Sequence, residues 1–160
     1  MDGSRMVASM TTAPIRQRQA ARVILLDERD RVLLIRFEIP RQDGHAVFWA
    51  TPGGGLEGDE DPLTAARREL MEELGLDLAL IGPVHEATAI FEHEGAALEN
   101  TDVFLLARCE ASAPRLDGVD EAERQVMKAI RWWSADEIAA SAEAIFPAGL
   151  AEVVRRVAPT

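Results

Sequence analysis

Residues 54–76, GGLEGDEDPLTAARRELMEELGL, constrain this chain more than any other stretch. The punctuation is that of one short helix over residues 62–74. Asp61 is a good N-cap, Pro62 suits the first helical position, and Gly75 suits the residue just past the end. Leu63, Ala66, Leu70 and Leu74 recur at spacings of three, four and four, which predicts a buried stripe with the acidic residues on another face. Glu69, Glu72 and Glu73 stand at i, i+3 and i+4, so three carboxylates share one side of the helix. Like charges at this spacing repel and would weaken an isolated helix. A compensating cation resolves the conflict, and clustered oxygen ligands suit Mg²⁺ or Mn²⁺, often together with substrate phosphates. Carboxylates alone are more often a solvated acidic face. With the glycine loop, Arg68 and the cap in register, the pattern favours a metal site.

Charge narrows the partners. The net charge of −11 argues against a nucleic-acid partner, which needs a basic surface, and against an anionic membrane. A phosphorylated small molecule would also be repelled unless a metal and nearby arginines invert the local field. The single cysteine, Cys109, excludes an internal disulfide and a cysteine-based zinc site, and its apolar setting, VFLLARC, suits a core thiol. His45, His85 and His93 are too scattered for a metal role. No apolar run is long enough to span a membrane and the N-terminus lacks a secretory pattern, so a cytoplasmic protein is expected.

The 160 residues fit one domain. Residues 1–18 are polar, small and without period, and are expected to be a flexible tail before a domain over 19–160. Residues 21–26 and 32–37 flank a turn at 27–30 and predict a hairpin. Residues 39–44 read as loop, 47–50 as a short strand and 52–58 as a glycine loop. Strands are predicted over 78–91, 102–109 and 126–133, with an acidic loop over 92–101. Ser134 opens a capping box, and a last helix is expected over 147–157. Of the adjacent Trp132 and Trp133, at most one can face a pocket, because neighbours on a strand point to opposite faces; core packing is favoured for Trp49. Strands alternating loosely with helices predict an α/β fold, a mixed β-sheet in an α/β/α sandwich.

Gly53, Gly55 and Gly58 also satisfy a dinucleotide-binding spacing between a strand and a helix. Asp59, Glu60 and Asp61 crowd the place where a bare pyrophosphate would sit, and Asp59 follows Gly58 where a phosphate-binding lysine would be needed. A metal-bridged pyrophosphate escapes that objection.

Gly54, Glu60 and the run Arg68-Glu69-Leu70-Met71-Glu72-Glu73-Leu74-Gly75-Leu76 fill every position of the Nudix box. Seven fixed glycine or polar positions lie within 23 residues, so the chain resembles the Nudix hydrolase superfamily, in particular its small bacterial single-domain members. Weaker resemblance extends through ARVILLDERDRVLLIRF, FWATPGGG, IRWWSADEI and FPAGL. It implies the Nudix α/β/α sandwich and Mg²⁺- or Mn²⁺-dependent hydrolysis of a diphosphate linkage in a nucleoside diphosphate joined to another group. The ligand set it implies is Glu69, Glu72, Glu73 and the carbonyl of Gly53, with Glu60 and Arg68 holding the loop against the helix. Glu69 is the first choice of general base; Glu92, Glu99, Asp102, Glu121 and Glu123 are eligible too. Arg36 and Arg41, near strand ends bordering the site, are candidates for binding substrate phosphate. No subgroup marker is present: Phe91 stands where an ADP-ribose enzyme tends to carry proline, tyrosine is absent, and the coenzyme A pattern is missing. A non-catalytic module of the same fold that senses a nucleotide metabolite is the alternative, and an isoprenoid diphosphate isomerase a more distant one. Either a monomer or a homodimer is compatible with the sequence.

Overall fold

The computed structural model describes residues 15–42, 44–93, 95–116 and 118–159, and of Arg41 and His93 the backbone only. Among the described residues eight strands form one mixed sheet: β1 (Arg16–Leu26), β2 (Val32–Arg41), β3 (Gly44–Ala50), β4 (Gly53–Gly55), β5 (Ile81–His93), β6 (Ala96–Arg108), β7 (Met127–Trp133) and β8 (Ala144–Phe146). The helices among the same residues are α1 (Pro62–Leu74), α2 (Glu121–Val126), α3 (Ala135–Ala140) and α4 (Leu150–Val157). The main path runs β5-β6-β1-β2-β3-β8, with β4 on β1 and β7 on β2. β1 pairs in parallel with β6, and β3 with β8; the remaining pairs are antiparallel.

Alternation along β1 sends Ala21, Val23 and Leu25 to one face and Ile24 and Leu26 to the other, and all five are fully buried. α1 covers the first face through Ala65, Ala66, Leu70 and Leu74; α4 covers the second through Leu150, Val153, Val154 and Val157. A sheet with helices on both faces is the α/β/α sandwich expected. The 27–30 turn between β1 and β2 is fixed by Asp27, whose Oδ1 accepts from the backbone of Arg29 and Arg31, both at 2.9 Å. Burial would raise its carboxyl, but these donors and the Arg31 side chain outweigh it and hold it below its ordinary value.

Several expectations change. β1 starts at Arg16, inside the stretch read as a tail; residues 1–14 of that stretch lie outside the described residues. Parallel pairing with β6 from Arg16↔Leu98 onward supplies the backbone partners that a polar sequence does not advertise. The 39–44 loop is instead mostly strand, because β2 and β3 stay paired out to Arg41↔Gly44. The 52–58 glycine loop contains β4, hydrogen-bonded to β1 at Ala20↔Gly55 through Arg22↔Gly53. The acidic 92–101 loop is a hairpin end, with β5 and β6 paired up to His93↔Ala96. The last helix begins at Leu150, not 147.

Trp133 is 3% exposed and meets Trp49 edge-on at 5.3 Å. Trp132 lies on the opposite face and donates to the Ala111 carbonyl at 2.9 Å. Both tryptophan expectations hold. Cys109 is half-buried, and burial pushes its thiol up to about 11, an inert setting. Among the described residues no helix is long and apolar enough to cross a membrane.

Candidate functional site

The box helix is bounded as the sequence predicts. Asp61 accepts from the Thr64 backbone at 2.8 Å, Pro62 opens the helix, and Gly75 closes it at φ 70°. The stripe is shifted, however. Leu63 is 39% exposed, while Ala65 and Glu73 are buried beside Ala66, Leu70 and Leu74. The expectation that all three carboxylates lie off the buried face therefore fails at Glu73, which is 5% exposed.

A buried carboxylate needs a donor. Glu73 takes the backbone N–H of Gly53 at 3.0 Å, which ties α1 to β4. Burial first, then the charge of Glu69 and more weakly that of Glu123, push its carboxyl up to about 8, against the pull of Gly53 and Arg22. Glu69 is also raised by burial; Arg68 opposes this, while Glu72 and Glu123 add to it. Negative charge at both positions thus lacks adequate compensation within the chain.

Arg68 locks the other side. Its Nε and Nη2 grip both oxygens of Glu60 at 2.8 and 2.9 Å, and Nη2 also donates to the Gly55 carbonyl at 3.1 Å. Nη1 reaches Glu69 at 3.0 Å and Glu72 at 3.2 Å. This is the two-pronged clamp expected of Glu60 and Arg68, and a planar guanidinium suits it better than an ammonium would. The Arg68 hydrogen bonds, followed by the Glu57 backbone, hold the Glu60 carboxyl down at about 2. The same contacts raise the Arg68 guanidinium further.

Glycine is required at two adjacent positions for different reasons. Gly53 sits at φ 143°, and a Cβ there would collide with the Ala21 carbonyl and lie 2.8 Å from Arg22 Cα. At Gly54 a Cβ would stand 2.5 Å from Glu69 Oε2, the movable end of a side chain. Gly54→Ala is therefore expected to cost only about 1 kcal/mol of stability while displacing Glu69. Thermal melts should shift by a few degrees at most. Any activity assigned to the box should fall at least tenfold, and retention of full activity would show that Glu69 need not occupy this position.

Among the described residues no three histidine, cysteine, aspartate or glutamate side chains are gathered as a ready-made metal cage. The hydrogen bonds account for this: Glu73 is turned to Gly53, while Glu69 and Glu72 are held by Arg68. In donor chemistry the set still suits a hard divalent cation, since it offers oxygen atoms only and two carboxyl groups whose ionised forms are penalised.

The five downstream carboxylates separate clearly. Glu123, in α2, is the one whose charge raises both Glu69 and Glu73. Glu121 is in the first turn of the same helix. Glu99 accepts from Gln17 at 3.0 Å, Glu92 is exposed near the end of β5, and Asp102 lines a different cavity. Arg36 is paired with Glu38 and does not line that cavity. Arg41 ends β2 opposite Gly44, and its side chain lies outside the described residues.

The arginines that do line the cavity are Arg18 and Arg22 of β1. This space of about 530 Å³ lies beside β4, with Asn100 and Asp102 on the same wall and Phe48 and Phe146 among its apolar residues. Arg18 donates to Asn100 at 3.0 Å, and Arg22 stands 3.6 Å from Asp102. Sequence reasoning missed both arginines: Arg18 falls in the stretch that the sequence marks as tail, and Arg22 lies within the predicted strand with no local sign that its side chain faces a cavity. Alternation through Arg16, Arg18, Ala20 and Arg22 was the available signal.

The NUDIX domain family profile matches residues 16–157. The chain is 30% identical over 128 residues to a MutT-like protein of Streptomyces ambofaciens, covering 80% of this chain and 70% of that protein. It is 36% identical over 72 residues to the RNA pyrophosphohydrolase of Rhodospirillum rubrum, spanning 45% of this chain but only 41% of that relative. In fold it is similar to the crystal structure of a MutT protein from Methanosarcina mazei Go1, with a TM-score of 0.65, 18% identity, and coverage of 91% and 95% of the two chains. A profile match over nearly all the described residues, containing a complete box whose arginine clamps the glycine strand to the helix, means that the chain belongs to the NUDIX domain family.

Proposed function

We propose that the protein is a Mg²⁺- or Mn²⁺-dependent pyrophosphohydrolase that cleaves the diphosphate linkage of a nucleoside diphosphate joined to another group. One observation supports this reading most. Glu69 and Glu73 are held largely out of water beside β4, with their carboxyl groups raised, so ionising both is penalised in a way that a bound cation would relieve. Residues proposed to hold the cation are Glu69, Glu72, Glu73 and the Gly53 carbonyl. Bound there, the cation would neutralise charge on the diphosphate and acidify the attacking water.

The chain's own residues supply the rest. Arg68 keeps β4 and α1 in register through Glu60 and Gly55, so the carboxylates stay pre-positioned. Arg18 and Arg22 provide positive charge in a protein of net charge −11. Water attacks phosphorus, the new P–O bond forms as the bridging P–O bond breaks, and the water proton passes to Glu69, with Glu123 the nearest rival in its electrostatic reach. The departing phosphate carries the bridging oxygen away.

The test is a panel of nucleoside diphosphate derivatives and triphosphates incubated with Mg²⁺ or Mn²⁺ in ¹⁸O-labelled water. Label is expected in a phosphate-containing product, because attack falls on phosphorus. Stoichiometric nucleotide binding without product over hours would overturn the hydrolase reading in favour of a sensing module.

A further inference from the structure

β5 ends the main path of the sheet, and among the described residues it pairs along one side only, with β6. Soluble proteins blunt such edges with proline, bulges or lysine, so that no other chain adds to them. In β5 those devices sit at the start: Pro83, and the irregular register between Ile81 and His85. From His85 to His93 the strand pairs with β6 without interruption and carries no proline, lysine or arginine. Residues 87–91, Ala-Thr-Ala-Ile-Phe, are uncharged in a protein of net charge −11. Ile90 is 60% exposed and Phe91 45% exposed at the end of this stretch. An edge of this kind offers its outer backbone groups and two large apolar side chains to another strand.

A second copy of the same strand fits it. An antiparallel pair related by a two-fold axis normal to the sheet sets one residue opposite itself and its neighbours opposite each other in symmetric pairs. With the axis at Ala89, Glu86 would face Glu92, and like charges directly opposite destabilise a sheet. At Thr88 the axis would set Glu86 against Ile90, and at Phe91 it would set Glu92 there. With the axis at Ile90, the two Ile90 side chains meet, Ala89 faces Phe91, and Glu92 faces Thr88. The Thr88 hydroxyl already shares a hydrogen bond of 3.0 Å with Thr101. A hydroxyl both donates and accepts, so Thr101, Thr88 and the incoming carboxylate form a continuous row. In residues 87–92 the one carboxylate thus meets a hydroxyl, and the apolar side chains meet one another.

We propose that the protein forms a homodimer by antiparallel pairing of β5 with β5 of a second copy about Ile90, and that Phe91 of the second copy walls the cavity beside β4. Ala89 and Phe91 line that cavity from one face of β5, and Ile90 points to the other face. Ala89 is exposed, and among the described residues no strand lies beyond β5, so the cavity is open on this side in a single chain. The pairing that joins the Ile90 side chains on one face lays Phe91 of the second copy against Ala89 on the other. The two sheets then run on as one, and each cavity is bounded by a residue of the neighbouring copy.

Sedimentation equilibrium of the full chain is expected to give twice the mass of one chain. Ile90→Lys, at an exposed position, should return the monomer with an unchanged melting temperature. Register is read by disulfide trapping in a Cys109→Ser background, which removes the single native thiol. Directly opposed residues stand about 4.5–5.5 Å apart between Cα atoms, within reach of a disulfide, whereas residues two positions out of register lie beyond about 7 Å. Ile90→Cys should therefore cross-link to itself under mild oxidation. Ala89→Cys and Phe91→Cys chains should each stay single alone and cross-link when co-expressed. Should Cys109→Ser fail to fold, the same trapping is read with the half-buried Cys109 retained and the unsubstituted chain as control. A monomer at every concentration, or a dimer unmoved by Ile90→Lys, overturns the proposal. So does self-cross-linking through Thr88→Cys or Phe91→Cys, which would set another register, or an edge that takes up an added extended peptide but not its own copy. None of these readouts needs turnover, so the dimer and the hydrolase reading fail separately.

Discussion

Glu73→Gln is expected to lower kcat about a thousandfold while leaving the metal-free protein at least as stable as the parent. Loss of one ligand charge next to the scissile diphosphate removes on the order of 4 kcal/mol of charge stabilisation, which corresponds to that factor. The fold should not notice. Glutamine has the same shape, its amide oxygen can keep the hydrogen bond from the Gly53 N–H, and no cavity opens in the helix–sheet interface. At pH 7 in EDTA the parent carboxyl is largely protonated, being pushed up to about 8, so the substitution replaces one neutral group by another. At pH 9 the variant should be the more stable protein, since it has no buried charge facing Glu69. Activity near the parent level at saturating Mg²⁺ would remove Glu73 from the proposed site. A large fall in melting temperature at pH 7 would show that the carboxyl has a structural role the amide cannot fill.

The box was legible because its information is local. Asp61, Pro62 and Gly75 act within a few residues of themselves, and each does what its chemistry predicts. The Arg68–Glu60 clamp spans eight residues and was also readable. Glu73 was misread because a helix viewed alone gives no reason to bury it. The reason is Gly53, twenty residues earlier in sequence and on a separate strand. The same holds for the sheet. The polar start of β1 and the acidic stretch 92–101 look like tail and loop by composition, yet the first is paired with β6 and the second is the end of the β5–β6 hairpin. Arg18 and Asn100 are separated by 82 residues and meet only because β1 and β6 run in parallel, so their cavity was beyond any local pattern. Arg36 and Arg41 were chosen from an approximate strand map, and the structure gives Arg36 to Glu38 instead.

In EDTA, the melting temperature should fall as pH rises from about 5 to about 9, and millimolar Mg²⁺ or Mn²⁺ should reverse most of that loss. Glu73 is raised from 4.5 to about 8 in the folded protein. Between those values the folded state holds a proton that the unfolded chain has released, so stability is fully present below the unfolded value and drains away as pH passes the folded one. Glu69 is displaced in the same direction and deepens the loss. For Glu73 alone the displacement amounts to on the order of 4 kcal/mol, or about 10 °C for a domain of this size. The acid limb has the opposite sign. Glu60, held down at about 2, contributes stability that is present above its unfolded value near 4.5 and is lost as pH falls toward 2. The metal-free protein should therefore be most stable on the mildly acid side of neutral. A cation competes with protons for the carboxylates, so its stabilising effect should be small at pH 5 and largest near pH 8 to 9. Glu73→Gln should flatten the alkaline limb and blunt the response to metal together. A cation response independent of pH, or an alkaline limb unchanged in that variant, would place the bound charge somewhere other than beside Glu73.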